Sequence, residues 1–130
     1  MIENFVVEII SPDKSILKTE TTEVIIPSYE GQMGILKDHI SLITFLRPGL
    51  IEIKESSGEK KFFIEDGTVE FSNNSLLILT STAKSLDSLE KNSIDTIIKN
   101  SQEKMSKNEI SDKERYLLSY KIDTLREINK

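Results

Sequence analysis

The amino-acid sequence predicts an α+β protein: an N-terminal antiparallel β-sandwich or flattened barrel over residues 1–84, then an antiparallel two-helix hairpin over residues 85–130. Three observations predict it. Short β-branched and aromatic runs recur at roughly 8–12-residue spacing, with turn residues between them. Near Ser85 the apolar period changes from strand-like to helical. Residues 85–130 then contain neither glycine nor proline.

Taken in order, Phe5–Ile10 is an apolar strand closed by Ser11-Pro12-Asp13. A long β-prone stretch runs from Ile16 to Ile26, and Pro27 is expected to end it. Ile40–Leu46 is closed by Arg47-Pro48-Gly49. Leu50–Lys54, Lys61–Ile64, Thr68–Phe71 and Leu76–Thr80 follow. The links Ser56-Ser57-Gly58-Glu59, Asp66-Gly67 and Asn73-Asn74 supply residues that tolerate positive φ, as hairpins require. The unbroken apolar run Leu76–Leu79 predicts a strand buried on both faces.

In the second part, Leu86, Ile94, Ile97, Ile98 and Met105 fall on one side of a helix, with Leu89 at its margin. Asp87 and Glu90 put negative charge in its first turn. Ser106–Glu109 interrupts the pattern, and Ser111-Asp-Lys-Glu114 opens a second helix as a capping box. Its apolar stripe is Leu117, Leu118, Ile122, Leu125 and Ile128. Ala83-Lys84-Ser85 is too short for a flexible tether, so the hairpin is expected to pack on the sandwich.

Composition excludes several functions. The 130 residues lack cysteine, which removes disulfide scaffolds, thiolate metal sites and cysteine nucleophiles. Met1 to Asn4 have no basic start, and no long apolar run follows, so neither a signal peptide nor a transmembrane helix is expected. The net charge is −5, and the surplus is confined to the sandwich: 8 Lys/Arg against 13 Asp/Glu in residues 1–84, but 9 against 9 in 85–130. Nucleic-acid binding needs clustered Lys/Arg, so no nucleic-acid partner is expected.

No set of mutually supporting catalytic residues emerges. His39, the only histidine, stands beside Asp38 without an activated nucleophile, which favours a structural or interface hydrogen bond. Gly31-Gln-Met-Gly34 lacks the Lys-Ser/Thr of a phosphate loop, and reads as a tight turn. Glu65-Asp66 has too few companion ligands for calcium. Helix charges such as Asp95 and Lys99 read as solvated i,i+4 pairs. No cofactor or metal is expected. A free-standing adaptor, with the sandwich binding a carbohydrate or peptide, shares this architecture. Sugar-binding sandwiches expose aromatic platforms, however, and only Tyr29 lies in a candidate loop. A cryptic enzyme built on Asp38 and His39 is the third reading.

The segment Ile26–Gly49 goes further. Glu30-Gly31, Gly34-Ile35 and His39, then a Leu-containing strand and Arg47-Pro48-Gly49, resemble the signature of the F-type ATP synthase ε-subunit family. That signature reads E-G-x-x-G-[IV]-x-P-G-H and then [RK]-P-G; here Lys37-Asp38 replaces Pro-Gly. The family's opening strand and turn are matched by Val6–Pro12. The resemblance implies a non-catalytic rotor component on the cytoplasmic face of the bacterial inner membrane, with no direct membrane insertion. Its partners would be the γ shaft and the c-ring, and catalytic-head subunits if the hairpin extends. The loop Ser28–Gln32 matches the ring-facing one, making Glu30 and Gln32 candidates for ring contacts. His39 matches a position near the γ interface. In many members the hairpin brakes ATP hydrolysis, and in some it binds ATP through [IL]-D-x-x-R-A. Here Leu86-Asp87 begin that motif, and Glu90 and Lys91 replace its arginine and alanine.

Overall fold

The structure, a computed structural model, describes residues 4–129. Met1, Ile2 and Glu3, on which the expectation of no leader partly rests, lie outside the described residues, as does Lys130. Among the described residues, ten strands form the first part: β1 (Phe5–Ile10), β2 (Ser15–Thr21), β3 (Glu23–Ser28), β4 (Gly31–Leu36), β5 (Leu42–Leu46), β6 (Gly49–Glu55), β7 (Gly58–Ile64), β8 (Gly67–Ser72), β9 (Ser75–Leu79) and β10 (Lys84–Ser85). They share one hydrogen-bonded sheet in the order β10-β7-β6-β3-β5-β8-β9-β1-β2, with β4 paired to β3. The sheet folds over a single interior. Alternate residues of its longer strands fill it: Phe5, Val7 and Ile9 from β1, Ile51 and Ile53 from β6, Val69 and Phe71 from β8. The pairing is antiparallel as expected with one exception, β1 on β9, which run parallel.

Local chemistry explains where elements differ from expectation. The stretch Ile16–Ile26 is two strands, broken at Thr22. Buried Thr21 donates its hydroxyl to the Lys54 carbonyl and accepts the Glu23 N–H at 3.2 Å, so the chain leaves the sheet margin and enters its middle beside β6. Pro27 does not end β3, which continues to Ser28 opposite Gly31. Proline offers no N–H, but its carbonyl still accepts from the Arg47 N–H at 3.0 Å. The tight turn lies at Tyr29-Glu30, and Gly31, at φ 124°, opens β4. Gly49 packs so closely on Pro27 that a Cβ there would sit 2.6 Å from the proline's own.

The doubly covered strand is β7, not β9. Leu76 and Ile78 are buried, but Leu79 is 45% exposed. Phe62 and Ile64 point into the sandwich, while Phe63 enters a second core with Ile94 and Leu125, flanked by Leu50, Leu86, Leu89, Ile97, Ile98 and Ile128. The hairpin lies over β6 and β7 and leaves β9 uncovered, which is why an identical apolar pattern has opposite outcomes in the two strands.

The helices are α1 (Lys91–Met105) and α2 (Asp112–Ile128). The first begins later than predicted. Leu86–Ser88 forms one 3₁₀ turn instead, in which residues three apart eclipse, so Leu86 and Leu89 both reach the second core. The capping box forms at Ser111, whose Oγ accepts the Glu114 N–H at 3.1 Å and donates to the Glu114 carboxylate at 3.3 Å. Arg115 donates to the Met105 carbonyl at 3.1 Å and so satisfies one of the open carbonyls at the end of α1. Asp95 takes the Asn129 amide at 2.7 Å, tying the end of α2 to the start of α1.

Candidate partner-binding surfaces

The strands place the sequence-predicted residues at two opposite ends. Ser28 is buried at the close of β3; its Oγ donates to the Gly31 carbonyl at 2.7 Å and accepts the Glu30 N–H at 3.3 Å. This fixes the β3–β4 turn and leaves Glu30 exposed at its tip. Gln32 is exposed two residues on and faces a groove of about 320 Å³ whose far wall is Tyr120, Asp123 and Glu127 of α2. Glu30 and Gln32 are therefore brought together.

His39 is not with them. It follows β4 at the opposite end, where its imidazole meets Phe71 edge-to-face at 5.9 Å and its Nδ1 donates to the Ile40 carbonyl at 2.7 Å. Asp38 does not pair with it. The Asp38 N–H donates to Asn74 Oδ1 at 2.7 Å, and Asn74 Nδ2 donates to Asp38 Oδ1 at 3.0 Å. With both side chains committed elsewhere, no acid–base dyad forms. Glu65 is likewise engaged, its carboxylate 2.6 Å from Lys121 of α2, while the Asp66 carbonyl accepts from the Thr80 hydroxyl. At the start of β3, Lys54 bonds Glu23 at 2.8 Å, and that hydrogen bond raises its pKa above the ordinary value.

Sequence reasoning missed a third feature. Ile40, Ile43 and Phe45 are 79%, 75% and 59% exposed. Cross-strand register extends this surface over the outer face of the sheet: Phe45 stands opposite Thr68, Thr68 opposite Leu79, and Leu79 opposite Ile10. The next row holds Ile43, Glu70 and Leu77. Thr68 and the exposed Glu70 of β8 interrupt these rows, so the exposed apolar side chains cluster on β5 and the preceding loop, where such clustering marks an interaction site more often than chance exposure. A signal was present in the sequence, since β5 is apolar at both parities (Leu42, Ile43, Phe45, Leu46), and one face of a strand cannot bury all four.

At the hairpin, Glu90 precedes α1 and is exposed, as is Lys91. The position at which the resembled motif has an arginine carries a carboxylate instead. Among the described residues no helix is long and apolar enough to cross a membrane.

Comparison with known proteins gives a consistent result. The family model described as ATP synthase, Delta/Epsilon chain, beta-sandwich domain matches residues 4–85. An ATP synthase epsilon chain from Pelagibacter ubique is 45% identical over 130 residues, covering 99% of this chain and all of that protein. One from Allorhizobium ampelinum is 30% identical, covering 89% of this chain and 83% of its own length. Among solved structures, a chain of the Euglena gracilis mitochondrial ATP synthase, in an assembly of OSCP, F1 and c-ring, superposes with a TM-score of 0.76 at 19% identity. It covers 95% of this chain and 78% of that one. A chain from the Tetrahymena thermophila central stalk and c-ring gives 0.63 at 14% identity, covering 98% of both. These two likenesses speak to the fold; the sequence relatives and the matched model speak to descent. The chain belongs to the ATP synthase delta/epsilon family and is an epsilon subunit of that complex.

Proposed function

We propose that the chain is a non-catalytic rotor subunit that joins the γ shaft to the c-ring, as a peripheral component on the cytoplasmic face of the bacterial inner membrane. The observation that carries this reading is the uncovered apolar face of Ile40, Ile43, Phe45 and Leu79 on an otherwise well-packed sandwich. A shaft partner covers that face, with His39 at its edge. Glu30 and Gln32, at the opposite end, meet the ring. That separation suits a coupling piece, because shaft and ring then bind distinct ends of one rigid closed sheet. The hairpin acts at most as a weak brake on ATP hydrolysis, and Glu90 disfavours ATP at the motif position by charge repulsion.

Affinity purification of the native complex tests the assignment. The tagged chain is expected to bring down γ and the catalytic-head subunits, and Ile43→Asp with Phe45→Asp to lose them while keeping the same circular dichroism. Undiminished recovery with the double variant would remove this face from the shaft contact.

A further inference from the structure

Four side chains from three distant segments converge where α2 crosses the tip of the β3–β4 turn. Tyr29, on that tip, stacks on Tyr116 of α2 with ring centroids 6.2 Å apart and planes inclined by 28°. The Tyr116 hydroxyl donates to the Tyr29 carbonyl at 3.4 Å and accepts from Arg47 Nη1 at 3.2 Å. Tyr120, one turn further along α2, meets Tyr116 edge-on at 4.8 Å, and the Arg47 guanidinium lies 3.8 Å above its ring. The Arg47 N–H is itself bonded to Pro27, two residues before the tip.

This cluster is separate from the apolar attachment of the hairpin. Leu125 and Ile128, which enter the second core, lie nine and twelve residues beyond Tyr116, or about 14–18 Å along the helix axis. Towards the sandwich, the first half of α2 is therefore held through polar and aromatic contacts to two of its turns, together with Lys121 on Glu65, while its other side packs on α1, where Arg115 bonds the Met105 carbonyl. Such contacts depend on ring orientation and on the position of one carbonyl, so they are lost on a small displacement of the tip. The apolar contacts at the other end of α2 have no such dependence.

We propose that Tyr29, Arg47, Tyr116 and Tyr120 form a latch that couples the state of the Tyr29-Glu30 tip to docking of the first half of α2. A partner that draws Tyr29 off Tyr116 loosens α2, and by linkage a loosened α2 frees the tip for that partner. The coupling is a property of the chain alone and does not depend on which partner meets the tip.

Amide hydrogen exchange on the full-length chain tests it without any partner. Tyr29→Ala is expected to accelerate exchange in residues 113–120 by about three- to tenfold, with the amides of β8 and β9 unchanged. Tyr29→Phe, which keeps the ring and the carbonyl, should leave α2 as in the parent. Tyr116→Ala should accelerate the Glu30 amide, and the Tyr29→Ala/Tyr116→Ala pair should exchange in α2 no faster than the faster single variant, because both remove one interaction. Unchanged α2 amides in Tyr29→Ala, acceleration spread uniformly through the sheet, or additive effects of the pair would each overturn the latch.

Discussion

Asp38 shows how a single position absorbs a departure from the family pattern. Where the family element has Pro-Gly, this chain has Lys37-Asp38, and Asp38 takes a φ of 66°, the conformation a glycine adopts freely. The two hydrogen bonds exchanged with Asn74 hold it there. Asn74 is in turn the second of two left-handed residues, with φ of 50° at Asn73 and 56° at Asn74, in the turn between β8 and β9. A β-carbon in that region costs about 1–2 kcal/mol, which aspartate offsets by local hydrogen bonding. Asp38→Ala should therefore lower stability by about 1–2 kcal/mol, and Asp38→Gly should remain roughly 1 kcal/mol more stable than the alanine variant. Both variants lose the same carboxylate, so their difference in urea unfolding isolates the dihedral. Equal midpoints would mean that the backbone angle carries no cost. The substitution of Pro-Gly was legible in the sequence; its compensation was not, because Asn74 lies 36 residues away.

Among the elements, the hairpin depends most on its surroundings. The apolar stripes of α1 and α2 were legible from period, and so was the cap at Ser111, because both follow from local geometry. What the stripes pack on was not legible. Ile94 and Leu125 are buried against Phe63 of the sandwich, so the hairpin has almost no core of its own. Short helices without tertiary packing are marginal in water. The isolated peptide of residues 86–130 should accordingly melt without a cooperative transition in circular dichroism, whereas residues 1–85 should melt cooperatively. The latter should also bind a hydrophobic dye more strongly than the full chain, since Phe63 and Leu50 become exposed. A cooperative melt of the peptide would mean that the helices stabilise each other without the sheet.

For the molecule as a whole, the same contacts bear on the weak brake proposed for the hairpin. Residues 111–130 carry five basic and four acidic side chains, a surplus of one that includes Lys130, outside the described residues. Lys121 is already 2.6 Å from Glu65. Little charge is left to draw the helix toward an acidic surface, and screening weakens that pull further beyond about 8–10 Å. Extension would also expose Leu125 and Ile94, at about 1.5–3 kcal/mol for each fully buried side chain. Truncation after Ser85 in the assembled enzyme should therefore change ATP hydrolysis by less than about threefold. A tenfold rise would show the hairpin to be a working brake despite its near-neutral charge.

By itself the sequence determined the class of fold, the turns at Gly58, Gly67 and Asn73-Asn74, the helix periods, the cap at Ser111 and the family, because these depend on residues close together in the chain or on their order along it; the turn read at Gly31–Gly34 lies instead at Tyr29-Glu30. The sequence did not determine which apolar residues are covered. Phe62-Phe63-Ile64 and Leu76–Leu79 read alike, yet the hairpin covers only the first. Nor did it place His39 at the end opposite Glu30, because that depends on the direction β4 takes after the turn. The parallel pairing of β1 with β9 and the meeting of Tyr29, Arg47 and Tyr116 across 87 and 69 residues belong to the same class. Burial and long-range contact are set by what lies on the other side of a surface, and only the folded chain brings that other side into place.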